Sequence, residues 1–72
     1  MGKFNYEIKR KIATLCEESG YTKEVNLIRF NDNDTTLDIR RWDRNKDIMQ
    51  KGISLTKAEV EKLKEALNQL EW

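Results

Sequence analysis

Between positions 40 and 46 the chain sets one large ring, Trp42, among four cations: Arg40, Arg41, Arg44 and Lys46. Rings stack on unpaired bases and cations neutralise the phosphates beside them, so this cluster offers the chemistry of single-stranded nucleic-acid binding. Its frame is the stretch LDIRRWDRNKDIMQKGISL from Leu37 to Leu55. An alternating strand, Leu37-Asp38-Ile39-Arg40, leads into the cluster, and a short apolar strand, Lys51 to Leu55, runs from it into a helix cap.

Catalytic constellations are missing. The sequence has no histidine and one cysteine, which excludes imidazole-activated nucleophiles, an intrachain disulfide and a structural zinc site. Cys16 is followed by Glu17 and Glu18, poor company for a thiolate nucleophile. The run from Asn31 to Thr35 lacks the glycine and terminal glutamate of a calcium loop and is read as a hairpin turn. Gly2, Gly20 and Gly52 are too scattered to cradle phosphate. The expectation is therefore a binding protein with no enzymatic activity, no cofactor and no small-molecule substrate.

At 72 residues with a formal net charge of +1, the chain reads as one domain, residues 1–72, that is not a generic polycation. A domain this small buries only about 60% of its unfolded surface, which favours oligomerisation. No stretch is apolar enough to span a bilayer and the N-terminus lacks a signal-peptide core, so a cytoplasmic location is expected, nucleoid-associated if the source is bacterial.

The elements that must position the cluster follow from periodicity. Phe4, Tyr6, Ile8 and Ile12 share the parity of a half-buried strand, and Leu15 breaks it, marking a bulge or the strand's end. Glu18-Ser19-Gly20 is a turn. Val25 to Phe30 forms a second strand, Asn31 to Asp34 a second turn, Thr35 to Trp42 a third strand and Lys51 to Leu55 a fourth. Thr56 and Glu59 spell a capping box, with Leu55 and Val60 as its hydrophobic staple. Val60, Leu63, Leu67 and Leu70 then recur at helical spacing. The fold class is α+β: a four-stranded antiparallel curved sheet followed by one C-terminal helix, ββββα. The helical stripe is expected to cover the sheet and pair with a second copy.

Alternation assigns faces. Val25, Leu27, Leu37, Ile39, Ile53 and Leu55 are expected to face the helix. The opposite face would carry Lys9, Lys11, Asn26, Ile28, Phe30, Arg40 and an exposed Trp42, and Gly52 marks a bulge or a close approach beside Lys51. With Tyr21 and Lys23 added, these residues and Lys51 form the expected nucleic-acid site, the lysines and Arg40 neutralising phosphates. Replacing Trp42 with Ala should weaken binding and leave the fold intact. The rival reading is a protein-interaction module whose aromatic face receives a partner's strand or helix. Arg29, Arg41 and Trp72 have no assigned role in binding.

The segments VNLIRFNDNDTTLDIRRWD and KGISLTKAEVEKLKEAL resemble the transcriptional positive cofactor four family of coactivators, in particular its small bacterial YdbC-like members. The resemblance covers roughly residues 21 to 70. It implies a homodimer with paired helices, whose interface would use Val60, Leu63, Leu67 and Leu70. It also implies grooves for single-stranded DNA; the residues themselves fit RNA equally, since none of them reads a 2′-hydroxyl. Phe30 and Trp42 would be the stacking rings and Lys51 a phosphate contact, while Gln50 departs from the family's basic residue. The regulatory tail of eukaryotic members has no counterpart here, so coactivation through it is not expected.

Overall fold

The computed structural model describes residues 5–72; Phe4, counted in the first-strand pattern, and Gly2 lie outside them. Four strands, β1 (Tyr6–Glu18), β2 (Tyr21–Phe30), β3 (Thr35–Asp43) and β4 (Ile48–Leu55), precede one helix, α1 (Lys57–Gln69). The strands form a single antiparallel sheet in sequence order, the ββββα arrangement that periodicity predicts.

Turn chemistry sets the connections. Ser19 and Gly20 both take positive φ, 54° and 84°, as a two-residue hairpin turn with the twist of its strands requires. Asn31 and Asp47 take positive φ at the other two turns, positions that Asn and Asp tolerate. In the β3–β4 connection Asp43 Oδ1 accepts from the backbone N–H groups of Asn45 and Lys46.

β1 has thirteen residues and β2 ten. The three extra residues, Lys9, Ile12 and Leu15, stand at register shifts. Each such bulge bends the strand and increases its twist, so β1 curls the sheet. The parity break at Leu15 is thus a bulge, and the strand continues past it to Glu18. β4 begins three residues before the expected Lys51, because a further register shift between Met49 and Gly52 hides its alternation.

Cross-strand partners share a face. On one face, called outer here, Leu27 pairs with Leu37 and Leu37 with Leu55, while Val25 pairs with Ile39 and Ile39 with Ile53. This is the predicted helix side. The other, inner face holds the fully buried residues: Ile28, Asn26, Asp38 and Trp42. The helix departs from expectation. Its capping box forms, Thr56 Oγ1 accepting from Glu59 N–H and Glu59 Oε1 from Thr56 N–H, and its first turn reaches the Leu27–Leu37 end of the sheet through Val60. No helical residue is buried, however, and Leu67 and Leu70 are more than half exposed. The straight rod leaves the sheet after its first turns, so its stripe does not cover the sheet.

Candidate nucleic-acid interface

Inner-face burial is maintained by paired charge. Asp38, with 0% exposure, receives two hydrogen bonds of 2.6 Å from Arg40 Nε and Nη2 and one of 3.1 Å from Ser54 Oγ. Arg40 Nη1 also donates to the Gln50 carbonyl at 3.0 Å, tying β3 to β4. Gly52 stands opposite Arg40, and a Cβ there would fall 2.0 Å from Arg40 Cβ. The glycine is required because the arginine stem crosses its Cα beside the bulge.

A second network surrounds Glu24. Arg44 Nη2 and Nε donate to its carboxylate at 2.7 and 2.9 Å, and Thr22 Oγ1 and Asn26 Nδ2 add two more bonds. The Arg44 guanidinium, opposed by burial, lowers the Glu24 carboxyl from 4.5 to about 2. Glu24 and Asp47 in turn stabilise the charged form of Arg44 against desolvation. An inward-pointing charge pair is retained here because each partner completes the other's hydrogen bonds.

Rings complete the face. The Arg44 guanidinium carbon lies 4.2 Å from the Trp42 ring centroid and Tyr6 meets that indole edge-on at 5.9 Å. Tyr6 also lies 6.4 Å from Phe30, over which Arg40 sits at 5.4 Å. Trp42 is consequently 1% exposed, and its indole N–H has no acceptor among the described residues. The expected exposed ring is instead the floor of the inner face. Tyr6, at 40% exposure, and half-buried Phe30 are the rings nearer solvent.

The expected site residues therefore divide. Phe30, Arg40 and Lys11, which pairs with Asn26, come together on the inner face with Trp42, Ile28 and Asn26 beneath them. Lys9 leaves that set: as a bulge residue it joins Glu7, its Nζ 3.4 Å from Oε2, and Glu7 pairs with Arg29 on the outer face. Simple alternation missed the inserted residue. Lys23 pairs with Cys16 and Arg41, which puts it on the outer face. Tyr21 joins it there, its ring 4.3 Å below the Arg41 guanidinium. Lys51 stands with Gln50 in the β4 bulge opposite Arg41. Arg44 and Tyr6 are the interface residues that the sequence reading left out. The position of Arg44 in the cationic cluster was a signal, but its partner Glu24 lies twenty residues away.

Among the described residues no His, Cys, Asp and Glu group is arranged to hold a metal ion, and no helix is long and apolar enough to cross a membrane.

Comparison with known proteins identifies a family and a relative. The sequence model of a family described as Transcriptional Coactivator p15 (PC4) matches residues 16–66. An "Uncharacterized protein" of Treponema pallidum (strain Nichols) is 37% identical over 68 residues, covering 93% of this chain and 80% of that protein, in keeping with a bacterial branch.

Proposed function

This chain belongs to the Transcriptional Coactivator p15 (PC4) family, and from that premise we propose that it binds single-stranded DNA with little regard to sequence, as a homodimer. The observation that carries the reading is the aromatic and cationic ledge of the inner face. Phe30 and Tyr6 lie within one ring contact of each other, Arg40 stands over Phe30, and Lys11 is exposed nearby. Each base offers a π-face to such rings, which makes stacking sequence-tolerant. Arg40 is already neutralised by Asp38, so its part is to present a flat guanidinium beside Phe30. Lys11 supplies charge to a phosphate. Trp42 acts from below, holding Tyr6 edge-on and carrying Arg44.

The dimer reading is supported by the apolar surface that this chain leaves uncovered. Ile53 on the outer side of the sheet, Leu67 on the helix and Leu70 at its end are each more than half exposed. A second copy presenting the same groups would cover them.

The test is a tryptophan-fluorescence and anisotropy titration with oligo-dT, a mixed-sequence single strand, the same sequence as RNA, and duplex DNA at two salt concentrations. Single strands should bind, more weakly as salt rises, and duplex should bind poorly. Phe30→Ala should weaken the single-strand complex by about 1–3 kcal/mol, the worth of one stacked base. Equal affinity for duplex, or no response to any single strand by the folded protein, overturns the proposal.

A further inference from the structure

The inner face cancels its arginine charge; on the outer face Arg29 meets Asp32 at 3.9 Å, but the row around Arg41 carries no such pair among the described residues. Arg40 is paired with Asp38 and Arg44 with Glu24 and Asp47. Arg41, Lys23 and Lys51 make no side-chain hydrogen bond or ion pair among the described residues, and all are exposed. They form one row across the sheet, because Cys16 pairs with Lys23, Lys23 with Arg41, and Arg41 faces Gln50 and Lys51 in the bulge. Two clefts meet at Arg41, one reaching to Cys16, Tyr21 and Lys23 and the other to Gln50 and Lys51. In the strand register the carboxylates that flank the row on this face are Glu18 and Asp43, on either side of Tyr21. Asp43 is committed to the β3–β4 turn, leaving one carboxylate against three cations.

From this arrangement we infer that the outer-face row is a second contact site for a single strand, with Arg41 held on Tyr21 as a stacking plate and Lys23 and Lys51 as phosphate contacts. The inference rests on the proposed single-strand reading for its ligand and adds a path for it. Gln50 and Lys51 belong to the edge strand β4. Arg40 bonds the Gln50 carbonyl from the inner face, while Arg41 opposes the same bulge from the outer face. A strand lying on Phe30 and Arg40 is thereby led over the β4 edge at Lys51 and onto Arg41. A guanidinium plane takes an unpaired base as an aromatic ring does, and Tyr21 fixes that plane in advance. Only Arg41 of the three ring-stacked guanidiniums keeps its full charge for a phosphate.

Cys16, exposed at the end of this row, supplies the reporter. The rate of Cys16 alkylation by a maleimide is measured with and without a saturating mixed-sequence single-stranded oligonucleotide, alongside anisotropy titrations of wild type, Arg41→Ala and Arg41→Lys over a salt series. The inference expects bound oligonucleotide to slow alkylation. It expects Arg41→Ala to lose roughly tenfold in affinity and to lower the salt slope by about one. Arg41→Lys should restore the slope but not the affinity. If Arg41→Ala binds as wild type does, the outer site is overturned whatever Cys16 does, and the inner-face reading stands as long as Phe30→Ala still weakens the complex. If wild type binds no single strand, both fall.

Discussion

The two faces of this sheet use the same residue types to opposite ends. On the inner face, arginines lie over rings and are held by buried carboxylates, so ring, guanidinium and carboxylate form packed layers. On the outer face, Arg41 lies over Tyr21 at nearly the same distance as Arg44 over Trp42, 4.3 against 4.2 Å, with no carboxylate paired to it among the described residues. A cation–π contact is therefore not by itself a sign of a binding site. What separates architecture from available charge is whether an acid completes the guanidinium, since a paired charge stabilises its neighbours while an unpaired one remains to attract a polyanion.

The largest effect is expected of Trp42→Ala. If the inner face is architecture, removing its largest buried ring should cost about 3–5 kcal/mol, enough to unfold much of a small domain. Urea denaturation followed by circular dichroism would read it, and a fully folded variant would return Trp42 to the role of surface plate. This reverses the expectation drawn from sequence, which assumed an exposed ring.

Acidification comes next. The Glu24 carboxyl is depressed from 4.5 to about 2 in the folded state, so its stabilisation is complete above about 4.5 and is lost as pH falls toward 2. The linkage is on the order of 3 kcal/mol. Glu24→Gln should be less stable at neutral pH and should lose less than wild type between those two values. Equal acid sensitivity of both proteins would remove Arg44–Glu24 from the list of structural pairs.

Leu67→Lys probes the helix, whose apolar stripe lies open. It should shift a dimer toward monomer in sedimentation analysis without unfolding the sheet, and a dimer that survives would move the interface to a sheet edge. The smallest effect belongs to Arg41. Its replacement by Ala should change stability by less than about 0.5 kcal/mol, as for exposed residues outside any network. A larger loss in thermal denaturation would make the outer stack architectural too.

Much of the fold was legible in order. The turn residues, the Thr56–Glu59 box and the alternation of Val25, Leu27, Leu37 and Ile39 each act within a few positions, so local chemistry dictated them. The candidate site was legible only in composition. Alternation says which residues share a face, and it correctly grouped Ile28, Phe30, Arg40 and Trp42. It does not say which face is buried, and it loses count wherever a bulge inserts a residue, as at Lys9.

Strands, helix, family and the presence of rings among cations were thus carried by residue order and composition. The tertiary structure decided which of those cations are available. Glu24 finds Arg44 across twenty residues and Ser54 reaches Asp38 across sixteen, distances over which no local pattern operates. Three bulges curl β1 so that the inner face closes on Trp42. Burial and charge neutralisation are properties of surfaces brought together by that curvature, and the chain acquires them only when the sheet bends.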